Sequence, residues 1–435
     1  MRMTEWSRRF FWLGVFGVVC LPISVSAAEL NIKSDTLFRT FQRDTKTDKD
    51  ASVIPLYEYL QIDLDSPNEP GLALHLYGWG RWDMADNNYY KDATDGELLY
   101  GYMEYKGEQA HFNARLGRQH LFEGVANEAV DGLRLSSDLG RYFSGSLYAG
   151  QPVALDEEQG RSGDSIFGGR LAHHLTGLYD LGLSYKKIRN HNNDVEEKSG
   201  IDLSANMPYG INLYGYSTYN LDTDGWGEHS YELNFAIGPV ALRPFYQKFN
   251  YDDYFGTSTN TVTAVNSSSP FRFLANTGEE MKVGGADLTL PVGDSWTFSA
   301  KAKHYDYKVL DDTSQYFAAL ATWSGQDQSQ IGYEIGYMNG DAAQNDYCLI
   351  RAFAYWDQLP DNLPISFVSG DVVYVGYQKE IYGEDRSLFL SLGAGRKFLE
   401  DALELKLSGD YSRDPYFDDD LRGMVTASYH FDRKL

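Results

Sequence analysis

The stretch from Leu421 to Phe431, LRGMVTASYHF, decides how this chain is read. Leu421, Gly423, Val425, Ala427, Tyr429 and Phe431 fall on one side; Arg422, Met424, Thr426, Ser428 and His430 fall on the other. A repeat of two marks a β-strand with one apolar and one polar face. A strand of this kind, ending a chain filled with similar strands, needs a partner along each edge. Pairing it with the first strand closes the sheet and leaves no edge open.

The same alternation runs upstream. Leu72, Leu74, Leu76, Gly78, Gly80 and Trp82 oppose Ala73, His75, Tyr77, Trp79 and Arg81. Leu388, Leu390 and Leu392 oppose Ser387, Phe389 and Ser391, and Leu403, Leu405 and Leu407 oppose Glu404, Lys406 and Ser408. Period and turn residues together predict about 22 strands between residues 30 and 431, the even number of a single-chain antiparallel barrel. The connections alternate in length, as the two ends of such a barrel require. Ser66 to Pro70, Lys106 to Gln109, Leu139-Gly140 and Leu175-Thr176 are short. Arg43 to Ser52, His120 to Val130, Gln151 to Gly163 and, longest, Asp252 to Gly278 are long. The expectation is an all-β fold: a single transmembrane antiparallel up-and-down β-barrel over residues 28–435, with about 16 to 22 strands. The first strand starts beside the predicted cleavage site, so no N-terminal plug domain is expected.

Composition supports this reading. The chain holds 33 Tyr, 23 Phe and 8 Trp, the load expected of aromatic girdles at two membrane interfaces. Its net charge of −24 argues against a nucleic-acid partner. Residues 1–27 read as a cleaved secretory signal. Arg2, Arg8 and Arg9 precede a short apolar run from Phe10 to Val19, and Val25-Ser26-Ala27 offers a small-residue cleavage site. Cys20 lies in that signal, which leaves Cys348 alone and excludes an intramolecular disulfide. No later run reaches the roughly 20 apolar residues of a transmembrane helix.

Enzyme and cofactor chemistry find no footing. The sequence has no CxxCH haem-attachment site, HExxH, Walker A or GxSxG. No metal site is expected either: His173 and His174 are neighbours on one strand, so they face opposite sides and do not chelate one ion together. Interest therefore moves to the lumen. A charge on a membrane-spanning strand is expected to point inward. This register places Arg81, Arg115, Arg134, Arg170 and Lys186 on the inner wall, then Arg243, Lys301, Lys303, Arg351 and Lys406, with Lys397 and Arg422. Fewer inward acids are assigned: Asp63, Glu104, Asp202, Glu232, Glu334, Glu404 and Asp410. A net basic wall of this kind would favour anions; the alternative is that these charges balance one another across a wet wall. The remaining acids crowd the predicted external loops, as in Asp44, Asp48 and Asp50, Asp156-Glu157-Glu158 and Asp418 to Asp420.

Two stretches resemble known families. The ending Tyr429-x-Phe431 resembles the C-terminal signature of Gram-negative outer-membrane barrels. That resemblance implies the cell outer membrane, contact with lipid and lipopolysaccharide, and recognition by the barrel-assembly machinery. Leu116 to Gly124, LGRQHLFEG, followed by Val130-Asp131-Gly132-Leu133-Arg134, is similar to stretches in proteobacterial porins. It implies a channel for small hydrophilic solutes, anions among them. It also implies an inward-folding loop, with Arg118, Gln119 and Arg134 near the constriction. A wide barrel with neither plug nor haem motif also looks like the barrel subunits of porin–cytochrome conduits. The function implied there is different: a sheath that holds a multihaem cytochrome as partner. Oligomeric state is not readable.

Overall fold

The computed structural model describes residues 29–43, 51–65, 70–85, 89–107, 111–153, 164–190, 193–255, 278–326, 328–340, 345–357, 359–360 and 362–434. The predicted signal, Asp44, Asp48, Asp50, Asp156, Glu157, Glu158 and residues 256–277 lie outside them.

The strands are β1 (Glu29–Arg43), β2 (Pro55–Asp65), β3 (Gly71–Asp83), β4 (Thr94–Lys106), β5 (Phe112–Glu123), β6 (Ala126–Asp138), β7 (Phe143–Pro152), β8 (Asp164–Leu175), β9 (Tyr179–Asn190), β10 (Asn193–Met207) and β11 (Ile211–Asn220). They continue as β12 (Gly225–Ile237), β13 (Val240–Asn250), β14 (Glu280–Val292), β15 (Trp296–Tyr307), β16 (Asp312–Ser324), β17 (Gln330–Asn339), β18 (Tyr347–Trp356), β19 (Phe367–Ile381), β20 (Glu384–Phe398), β21 (Leu403–Asp414) and β22 (Phe417–Lys434). The short piece Ala51–Val53 continues β2 across Ile54 and pairs with the same neighbour, β1. Each strand pairs antiparallel with the next. β22 returns to β1 in unbroken register, from Glu29↔Lys434 to Phe41↔Arg422. The result is a closed 22-stranded barrel with no plug helix among the described residues.

Register sorts the two faces. Ile32, Ile62 and Leu76 lie in one cross-strand row with Phe431. Leu72, Leu147 and Leu407, also on that side, are 69 %, 68 % and 64 % exposed. Leucines bared so far, row after row, form a surface suited to lipid, and a closed barrel is one of two backbone designs that tolerate it. The wall is of the outer-membrane type. Outward aromatics gather at the end with the chain termini: Tyr105 against Phe112, Trp296 stacked on Phe298, and Trp323 stacked on Trp356. Glu58 breaks the outward pattern. Its carboxylate accepts hydrogen bonds from Ser34 Oγ (2.6 Å) and Thr36 Oγ1 (2.5 Å), which offset part of its desolvation.

Many strands exceed the roughly 9–11 residues that cross a bilayer; β22 has 18. The excess projects past the end opposite the termini. There Tyr382-Gly383 and Pro415-Tyr416 close tight turns. Positive φ at Tyr382 (52°) and Gly383 (88°) matches a two-residue hairpin.

Face assignment is tested by paired substitutions on β20. Leu392→Arg is expected to cost about 2–4 kcal/mol of folding stability in lipid vesicles if it lies near the bilayer midplane. Ser391→Arg, which enters the inner face between Asp371 and Asp410, is expected to cost far less. Equal losses in denaturant titrations would contradict the assignment.

Candidate functional site

β5 and β6 run further than the wall that holds them. β4 accompanies β5 only from Asn113 to Arg118, and β7 leaves β6 at Val130. The two strands still pair with each other as far as Glu123↔Ala126. Residues 119–129 are therefore a hairpin that has left the barrel wall.

Two glycines set its direction. Gly117 and Gly132 pair across the base of the hairpin, and Gly117 has φ +129°. A Cβ would lie 2.3 Å from Gly101 O at the first and 2.2 Å from Ala149 O at the second. A side chain at either place would collide with backbone, so the sharp bend requires glycine. The hairpin turns at Gly124 (φ +60°) and Val125. Val125 N donates to Ser184 Oγ at 3.1 Å, and a Cβ on Gly200 would meet Val125 Cγ1. Ser184 and Gly200 belong to β9 and β10 and share the inward face with Arg170 and Asp202. The tip thus folds into the lumen and lies across the inner wall.

Packing holds it there. Leu121, Ala126 and Val130 on its underside meet Tyr148, Ile166 and Ile188 of the wall, all at most 4 % exposed. Each large apolar side chain buried this way contributes about 1.5–3 kcal/mol. Polar pins surround the cluster. Glu123 accepts from Arg134 and from Ser146 Oγ (2.6 Å). Lys186 Nζ lies 3.2 Å from Glu128 and 2.7 Å from Glu196. Arg118 clamps the base, donating to Asp131 Oδ1 and to Leu98 O, each at 2.8 Å. Gln119 is 2 % exposed and donates to Arg115 O and Gly132 O. The opposite side of the hairpin carries His120, Phe122 and Asn127. His120 and Phe122 rings lie 4.2 Å apart, and Phe122 is 77 % exposed.

The structure therefore brings Arg118, Gln119 and Arg134 together at one hairpin, with all three heads engaged in holding it. The side chains it presents to the lumen are ones the sequence reading passed over. Residues 120–130, expected as a long external connection and, from the porin-like stretch, as an inward-folding loop, form this paired hairpin. The alternation Leu121, Glu123 before Gly124 was its signal.

Arg81, Arg115, Arg134, Arg170, Lys186, Arg243, Lys301, Lys303, Arg351 and Lys406 all fall on the inward face by register. That face is not a net basic wall. Asp35, Asp180, Asp287, Asp371, Glu123 and Glu128 share it. Arg81 stands 3.5 Å from Asp95, Arg115 2.9 Å from Glu104, Arg170 2.7 Å from Asp180, and Arg351 2.5 Å from Asp371. Arg243 pairs with Asp287. Among the described residues, Lys301, Lys303 and Lys406 have no such carboxylate. Asp420, expected as a solvated loop acid, is buried between Arg43 and Arg422. His173 and His174 do face opposite sides: His173 meets Tyr142 and Phe143, while His174 pairs with Asp180 across the strands. Among the described residues no group of three or more potential ligands could hold a metal ion.

No protein-family model matches the chain, and no curated protein matches it either. Among solved structures it is similar to OccAB4 of Acinetobacter baumannii (11 % identity, 95 % of this chain and 100 % of that one, TM-score 0.45). It is also similar to the outer membrane protein opdK of Pseudomonas aeruginosa (9 %, 93 % and 99 %, 0.45). A third is a BenF-like porin of Pseudomonas fluorescens (9 %, 93 % and 99 %, 0.44). The strand ladder itself, not these similarities, defines the fold.

Two measurements check the hairpin. In a Cys348→Ser background, Val125→Cys with Ser184→Cys is expected to crosslink on mild oxidation in native membranes, seen as altered mobility of the denatured chain. An absent crosslink would place the tip elsewhere. Leu121→Ala is expected to lower stability by about 2–4 kcal/mol and to raise proteolysis between residues 119 and 129.

Proposed function

We propose that this barrel is a porin, an outer-membrane channel for passage of small hydrophilic solutes. The observation that carries the reading is the hairpin of residues 119–129, packed against the inner wall by its own apolar cluster. A polar lumen narrowed by a fixed element, on a wall that presents leucine to lipid, is what a size-selective pore needs. The pairing of the inner arginines supports weak ion selectivity in place of the anion preference that a basic wall would give. Any local attraction for anions falls at Lys301 and Lys303, adjacent on β15 and without an ion-pairing carboxylate among the described residues. The alternative of a sheath around a multihaem cytochrome is less well supported, because the hairpin occupies space in the lumen that such a partner would need.

Purified barrel in planar bilayers is expected to give stepwise conductance, with a reversal potential in a KCl gradient close to that of an unselective pore. Lys301→Glu with Lys303→Glu is expected to move that potential clearly toward cation preference. Bilayers no more conductive than bare lipid would contradict the porin reading, as would haem co-purifying in stoichiometric excess over the barrel.

A further inference from the structure

The tyrosine load was expected at the membrane interfaces, yet a large part of it points into the lumen. Tyr57 and Tyr59 on β2, Tyr77 and Trp79 on β3, and Tyr100 and Tyr102 on β4 share the inward face, in register Tyr59↔Trp79 and Tyr77↔Tyr100. Their rings follow one another along the wall. Tyr57 lies 6.4 Å from Tyr59 and 6.2 Å from Trp79; Tyr77 lies 5.4 Å from Tyr100, which lies 5.9 Å from Tyr102. All six are half-buried, so each keeps part of its surface open to the lumen.

Polar groups border this track, and most of its charges are matched. His75 stacks on Tyr102 (4.9 Å) and sits between Asp63 (2.7 Å) and Glu104 (3.4 Å). Arg115 is engaged by Glu104, and Arg81 faces Asp95 while lying over the Tyr90 ring at 3.7 Å. An anionic aromatic solute would need an unengaged cation beside its carboxylate. Arg81 and Arg115 are taken; Arg39 of β1, near Tyr59 and without an ion pair among the described residues, is outnumbered by Asp63, Asp95 and Glu104, which would repel the carboxylate. An inward row of rings edged by hydroxyls and carboxylates suits a chain of saturated rings that is apolar on its faces and hydroxylated at its edges.

We propose that β2–β4 carry a binding track for a neutral oligosaccharide, on which successive sugar rings stack as the solute passes. This deepens the porin reading and rests on it.

The test is binding to the whole folded barrel in a detergent without sugar headgroups, by titration calorimetry. The probes are maltohexaose, cellohexaose, glucose and benzoate. At least one hexasaccharide is expected to bind saturably and more tightly than glucose, with benzoate weaker than that hexasaccharide. Tyr59→Ala and Trp79→Ala are each expected to weaken that binding about tenfold, while Tyr59→Phe, which keeps the ring, retains most of it. Heat-modifiable electrophoretic mobility verifies that each variant is folded. No binding of either hexasaccharide, unchanged affinity in both alanine variants, or tighter binding of benzoate would each overturn the track. Calorimetry needs no conductance, so the two readings separate: a conducting barrel blind to both hexasaccharides loses the track and keeps the channel, and a non-conducting barrel that binds them loses the channel alone.

Discussion

Backbone hydrogen bonding in a solvent that offers none is the constraint on which this structure depends. Every peptide group at membrane depth must find its partner within the chain, and a sheet does this only by closing. Here closure is the register of β1 against β22, from Glu29↔Lys434 to Phe41↔Arg422. Once the ring is closed, strand alternation gives every residue a side. Leucine goes to lipid and charge goes to the lumen, because the reverse placement costs kilocalories at each position. The inner wall of arginines, carboxylates and tyrosines follows from that sorting.

Closure alone leaves a wide polar hole. What gives it a particular shape is a departure from the ladder. β5 and β6 outrun their neighbours, bend at the Gly117↔Gly132 pair and lay residues 119–129 across the inner wall. Removing these strand ends from the wall leaves the barrel intact, since β4–β5 and β6–β7 pairing persists below the bend. The apolar cluster around Leu121 and Ile188 is a small second layer of sheet on sheet inside the barrel.

Much of the wall was legible in the sequence. Period two, turn residues and an even count placed the strands, and the rule that strand charges point inward put Arg81, Arg243 and Arg351 on the face where they stand. For the hairpin, the porin-like stretch implied an inward-folding loop, but neither its strand pairing nor its contacts on the wall could be read. Nothing in residues 120–130 states that their apolar members will meet Ile166 and Ile188, some forty to sixty positions later. Net lumen charge stayed open between a basic and a balanced wall for a related reason. Asp180, Asp287 and Asp371 are paired with arginines on the neighbouring strand, and such partners become visible only when cross-strand register is known. The tyrosines illustrate a third limit: composition counts rings without telling which side of the wall they take.

The central claim is that residues 119–129 set the width of the pore. The most direct measurement is single-channel conductance after Gln119 to Ala129 are replaced by an Asn-Gly turn, which suits a two-residue hairpin. A folded barrel that conducts severalfold more than the native chain, under the same salt and voltage, is the predicted result. Unchanged conductance in a folded variant would contradict the account, because the hairpin would then lie outside the path of the ions.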